Sequence, residues 1–188
     1  MDEKKKYVIQ AAGSSPFRRP PKPNRPILNP ETKAPAFGHI PDLTTPGKRF
    51  PAGPICLREG KHRGPHKGFG FEHIWREHFA QETDPSVAEQ TVIEFVVKIL
   101  IPGATIHYEG GLGKQSNRVA VCRRMHGIII LEEILDSTNS VNYSIVTAIP
   151  GGKPYGPVIG ALGRASSVIG VSQEIDQEAS KSAEVPSE

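Results

Sequence analysis

Apolar and polar positions first become periodic near residue 54. Residues 55–58, ICLR, predict a short strand that ends in a Gly- and His-rich loop, GKHRGPHKGFG. Beyond the loop, Phe71, Ile74, Trp75, His78 and Phe79 recur at helical spacing, which predicts a helix over 71–81 with Glu72, Arg76 and Glu77 on its polar face. A second helix follows: Asp84 is placed to cap it, Pro85 suits the first helical position, and Val87, Val92, Ile93, Phe95, Val96, Ile99 and Leu100 carry its apolar face to Pro102. After Pro102-Gly103 the period shortens to two and β-branched residues take over, predicting strands at 105–108, 118–124, 128–135 and 143–149. Met125-His126-Gly127 is short enough for a tight hairpin, while EGGLGKQSN and DSTNSVN make longer polar connections. Helices first and strands after predict an α+β domain, two N-terminal helices packed on a four-stranded antiparallel meander.

Composition sets the limits of that domain. Only 37% of the 188 residues are hydrophobic, and 11 of the 18 prolines fall between Pro16 and Pro54. Proline at such intervals fixes φ and removes backbone donors, so this stretch is expected to sample polyproline II as a spacer. The expected division is a basic, mostly disordered Pro-rich arm over 1–53, a domain over 54–155, and a Gly/Ser-rich then acidic tail over 156–188, largely disordered. Charge follows it: residues 1–53 hold ten Lys/Arg against four Asp/Glu, residues 54–171 twelve against eleven, and residues 172–188 one against five. A nearly neutral domain binds a polyanion only through a local patch. No apolar run approaches the roughly 18 residues of a membrane span, and MDEKKKYVIQAAGSSP has too short an apolar stretch for a signal peptide, so a soluble protein is expected. Cys56 and Cys122 lack CxxC spacing and form no disulfide framework or zinc ribbon.

Four of the seven histidines, His62, His66, His73 and His78, fall within seventeen residues. His73 and His78 are five apart and diverge by about 140° on a helix, so they do not make the i,i+4 pair of a zinc site. Acid–base chemistry near neutral pH fits imidazole better, and Lys61, Arg63 and Lys67 in the same loop would meet an anionic ligand such as a phosphodiester. His73, at the helix start beside the Gly-rich loop, is placed to face a cleft, with Glu77 one turn on to orient its ring. The apolar stripe with Ile74 and Trp75 gives His78 a core reading as well. GGLGKQSN is no phosphate loop, because Gly113-Lys114 is followed by Gln115 and a strand. Arg118 and Arg123 lie on one predicted strand, where an arginine can stabilise a phosphorane-like transition state. In NYSIVTAIP, strict alternation puts the hydroxyls of Tyr143 and Thr147 on one face, a surface that could bind a ligand.

The string ICLREGKHRGPHKGFGFEHIWREH resembles the loop–helix signature of the BECR nucleases (barnase, EndoU, colicin and RelE-like), in their phage and polymorphic-toxin branches. In those branches an LxxGxH-like stretch leads through GFGxxHI to a second His; IIILEE and YSIVTA resemble the later strands. The resemblance implies a metal-independent, cofactor-free ribonuclease in which the 2′-hydroxyl attacks the neighbouring phosphate to leave a 2′,3′-cyclic phosphate. It implies His73 and His78 as acid–base residues and Arg118 or Arg123 and Thr147 at the scissile phosphate; Lys61, His62 and Lys67 of the loop and Tyr143 of the last strand are the residues expected to face substrate from their own positions. RNA is the implied partner, with a cognate inhibitor or immunity protein, in a cytoplasm or delivered into that of a target cell. A second class stays open, a non-catalytic RNA- or protein-binding module with a proline-rich docking arm.

Overall fold

In the computed structural model, which describes residues 22–108, 110 and 116–163, six strands precede the helices. They are β1 (Ala36–Ile40), β2 (Leu43–Thr45), β3 (Lys48–Phe50), β4 (Gly53–Cys56), β5 (Lys61–His62) and β6 (Gly68–Phe69). Helices α1 (Gly70–His78) and α2 (Pro85–Ile99) come next, then β7 (Thr105–Tyr108), β8 (Arg118–Arg123), β9 (Gly127–Leu135), β10 (Val141–Pro150) and β11 (Val158–Ala161). Seven strands form one mixed sheet curled into a half-barrel, ordered β1-β4-β10-β9-β8-β7-β11, while β2–β3 and β5–β6 are separate hairpins.

The expected fold, two helices on a four-stranded antiparallel meander, is therefore wrong. The meander β7–β10 exists, but as the middle of a larger sheet. On one side β10 pairs in parallel with β4, and β4 in turn pairs with β1; on the other, β11 pairs with β7. A four-stranded meander would leave both edges unpaired, and the flanking chain supplies those partners.

The extra strands come from segments the composition assigns to arm and tail. Ile27, Phe37, Ile40, Leu43 and Phe50 are buried in the core. Residues 23–27 run beside 57–60: Ile27 N–H donates to the Leu57 carbonyl, Glu59 N–H to Arg25 and Gly60 N–H to Pro23. The buried Glu59 carboxylate accepts from the Lys22 backbone N–H at 2.9 Å and pairs with Arg25. Beyond residue 155, β11 closes the far edge of the sheet. Residues 1–21 and 164–188, which hold the start of the expected arm and the acidic tail, lie outside the described residues, as does the Gly113–Gln115 stretch of GGLGKQSN.

Both helices form for local reasons. Asp84 caps α2, its carboxylate accepting from Ser86 and Val87 N–H at 2.7 and 3.1 Å. No side chain caps α1; its first-turn N–H groups on Phe71 and Glu72 donate to the carbonyls of Arg58 and Glu59, each at 2.9 Å. That approach needs glycine. A Cβ on Gly70, at φ 74°, would stand 2.5 Å from the Arg58 carbonyl oxygen, and Gly60 faces it across the contact. The main core lies between the helices and one sheet face, and a smaller cluster of Ala120, Ile128, Ile130 and Val146 covers the other. Among the described residues no helix is long and apolar enough to cross a membrane.

Candidate active site

The β4–α1 connection, fixed by the Gly60–Gly70 contact, places Arg58 over the sheet. Its guanidinium donates to the Ser144 hydroxyl at 2.7 and 3.0 Å and to Asn24 Oδ1 at 3.0 Å, and lies 4.4 Å above the Phe69 ring. Burial lowers its pKa, opposed by Cys56 and Glu132, and an arginine keeps its charge regardless. Arg58, Arg63, Lys67 and Arg118 together border a cleft of about 340 Å³ with Phe69, Val146 and Glu132. Four cations meet one carboxylate there. Arg118 is held by Glu132, its Nη2 donating at 3.1 Å, so it is oriented and part of its charge is balanced.

A β-bulge in β10 decides what stands beside this cleft. Ile145 opposes Leu131 and Thr147 opposes Ile130, so Val146 is the extra residue. The strict alternation expected of this strand is broken. Tyr143, Ile145 and Ala148 all enter the main core, whereas Val146 and Ile149 pack with the second cluster on the cleft side. With Ala148 inward, Thr147 shares the outward face with Ile149. There Thr147 Oγ1 and His78 Nε2 share a hydrogen bond of 3.1 Å. His78 is half-buried; burial lowers its pKa below the ordinary histidine value, Glu77 raises it and His66 lowers it further.

Tyr143 moves the other way. It is fully buried, its hydroxyl donates to the Pro51 carbonyl at 2.7 Å, and burial with the nearby Glu133 and Asp42 pushes its pKa up. It joins the sheet to the Pro-rich segment and offers substrate no surface.

His62 and His73 of the histidine cluster meet behind the β5–β6 hairpin. His62 pairs with Gly68, and a Cβ on Gly68 would stand 2.9 Å from His73 Nδ1, so this side of the hairpin faces α1. By alternation Arg63, Lys67 and Phe69 turn to the cleft. His73 is only 4% exposed, and His62 and His73 stack at 5.7 Å with their Nδ1 atoms 3.4 Å apart. Burial lowers the His73 pKa; Glu77 acts against this, while His62, His78 and His66 add to it. Glu77, one turn from His73, lies 3.7 Å from His62 Nδ1 and 3.8 Å from His66 Nδ1, and its Oε1 accepts from the His66 backbone N–H. The sequence pattern assigns Glu77 only to orienting His73; the fold makes it the third member of a group with both imidazoles.

The sequence-derived residues thus do not form one site. Lys67 and Arg118 border the cleft, with Thr147 on the strand at its side and His78 reaching it from the end of α1; His62 and His73 lie behind the hairpin; Lys61 is exposed on β5 opposite Phe69. Arg123 is elsewhere, lining a groove of about 1030 Å³ at the other end of the sheet and donating to the Lys98 carbonyl at 2.6 Å. Arg58, Ser144 and Glu132 are the cleft residues that sequence reasoning missed. Arg58 stands inside the LxxGxH string, and Glu132 shares a strand face with Ile130, but only the β4–β10 pairing brings them together. Comparison with known proteins finds no matching family model, no similar curated protein and no similar solved structure.

Proposed function

We propose that this chain is a ribonuclease that cleaves RNA by attack of the 2′-hydroxyl on the adjacent phosphate, with side chains rather than a metal ion moving the protons. The observation that carries the reading is the cleft in which Arg58 and Arg118 are held by Ser144 and Glu132, with Thr147 farther along the Ser144 strand bonded to His78 at the end of α1.

The chemistry needs cations at the phosphate and a proton acceptor at the 2′-oxygen. Arg58 and Arg118 are oriented before substrate arrives and face the charge that grows on the phosphorane oxygens, with Arg63 and Lys67 adding attraction for the backbone. Ser144 and Thr147 oppose Glu132 and Ile130, two residues apart on β9, so the Arg58 and His78 contacts are separated by about 7 Å along the strand. That is a span over which one phosphodiester can touch both. His78 takes the 2′-hydroxyl proton, the bond from phosphorus to the 2′-oxygen forms, and the bond to the 5′-oxygen breaks. Lys67, on the hairpin at the cleft's edge, supplies a proton to the departing oxygen. Thr147 holds the His78 ring.

Single-stranded RNA incubated with the purified chain in EDTA tests the reading. New 2′,3′-cyclic phosphate ends are expected, with 2′-O-methyl RNA and DNA left intact. Intact RNA, or cleavage that requires added Mg²⁺ or extends to DNA, would reject it; RNA bound but uncut would favour a binding module instead.

A further inference from the structure

Behind the β5–β6 hairpin, and outside the cleft, three potential ligand atoms converge. One nitrogen each of His62 and His73 and a carboxylate oxygen of Glu77 all lie within 4.8 Å of one another. We propose that these residues form a binding site for a divalent transition-metal ion, Zn²⁺ by its donor set, which ties the hairpin to α1.

Two of the three spacings approach those of a coordination shell. With bonds of about 2.0–2.1 Å, two ligands of a tetrahedral zinc stand about 3.3–3.4 Å apart. The two Nδ1 atoms are 3.4 Å apart, and His62 Nδ1 is 3.7 Å from Glu77 Oε1. A proton on one imidazole satisfies one of these contacts and leaves the remaining lone pairs facing each other. A divalent ion at their centre accepts all three.

The supports are fixed by the backbone. His73 and Glu77 are an i,i+4 pair on one helix face, the spacing that lets two side chains grip one ion. His62 is brought opposite by the hairpin pairing with Gly68, whose missing side chain leaves room for the His73 ring. His66 stands beside the same carboxylate, its Nδ1 3.8 Å from Glu77 Oε2, and its backbone N–H already bonds Oε1. Two imidazoles and a carboxylate match the borderline preference of Zn²⁺ for nitrogen and oxygen. The hairpin carries Arg63 and Lys67 on its other side, so the ion would stiffen the element that presents those cations to the cleft.

This inference does not depend on the ribonuclease reading, because its readouts are metal content and thermal stability. The full-length chain is titrated with Zn²⁺ alone and with Co²⁺ as a spectroscopic probe, alongside His62→Ala, Glu77→Gln and the remote control His39→Ala. One ion per chain, the visible absorption of tetrahedral Co²⁺, and a melting temperature raised by Zn²⁺ and lowered again by chelator are expected for the parent and His39→Ala. Both site variants should bind at least about 100-fold more weakly, with no Zn²⁺-dependent rise in melting temperature. His62 is only half-buried and Glu77→Gln preserves shape, so loss of binding is separable from loss of fold. Absence of binding in the parent chain, or binding of parental strength in both site variants, would overturn the proposal.

Discussion

Arg58 braces the sheet and, on the proposed function, also faces the phosphate, and replacing it with Met tests both roles. The substitution keeps an unbranched stem over Phe69 but removes the guanidinium. Hydrogen bonds made by a charged group contribute roughly 1.5–3 kcal/mol, and the cation over the ring about 0.5–2 kcal/mol. Ser144 is 1% exposed, so its hydroxyl would be left buried without its arginine partner, itself a cost of about 1–3 kcal/mol. These contributions overlap, and a net loss of about 2–4 kcal/mol is expected for Arg58→Met. Ser144→Ala alone should cost less, about 1–2 kcal/mol, because the guanidinium keeps Asn24 and the Phe69 ring. In the double variant the orphaned hydroxyl is gone, so the combined loss should fall short of the sum by about 1–2 kcal/mol. Urea melts of all four proteins measure that coupling. RNA cleavage supplies the second axis: one donor aimed at a developing oxyanion is worth about 10²–10³-fold. Arg58→Met and the double variant should both lose that much, and Ser144→Ala less than about tenfold. Additive stabilities within about 0.5 kcal/mol would show that Ser144 does not hold Arg58. Undiminished cleavage by a folded Arg58→Met protein would remove the cleft from the chemistry.

His78→Ala should lower RNA cleavage by about 10²–10⁴-fold while circular dichroism stays unchanged; a fully active, folded variant would end its role as proton acceptor. Thr147→Val, which keeps the shape and removes the hydroxyl, should reduce the rate by a smaller factor and serves as the comparison in the same assay. Asp84→Ala should destabilise the chain by about 1 kcal/mol in a urea melt through loss of the α2 cap, with cleavage unaffected below the transition. The Asp136 carboxylate accepts from the Thr138 hydroxyl, the Ser140 and Thr138 backbone and Asn142, which pulls its pKa from 3.8 down to about 2. Its folded value lies below its unfolded one, so the stabilisation is complete above about pH 4 and is lost as pH falls through about 2. The melting-temperature gap between the parent and Asp136→Asn should therefore be constant from pH 7 to 5 and narrow below 4; a gap independent of pH would contradict this.

Where neighbouring residues decide the conformation, the sequence pattern was sufficient. The second helix begins at Pro85 behind its Asp84 cap, and the strand over 105–108 has the bounds its alternation predicts, because capping and period two are properties of adjacent residues. The β8–β9 hairpin follows in turn from its short connection, since a tight turn leaves antiparallel pairing as the close-packed option. The histidine cluster and the basic loop were legible too, as residue types set close together along the chain.

Pairing between distant segments was not legible. Residues 36–56 are rich in proline and their strands are three to five residues long, so composition points to a spacer; what makes them strands is an open sheet edge beside β10 and a core that Ile40, Phe50 and Ile55 complete. The same pairing brings Arg58 to Ser144, 86 positions away, and creates a cleft that no local motif contains. One extra residue in β10 reverses the faces that alternation assigns beyond Ile145, so that Ala148 joins Tyr143 in the core and Thr147 turns to His78. The sequence alone determined which chemical groups are present, the two helices and the four strands of the meander. Tertiary structure decided which of those groups meet, because a side chain's neighbours across a sheet depend on strand order, register and a single bulge, none of which is encoded within the short window over which periodicity is read.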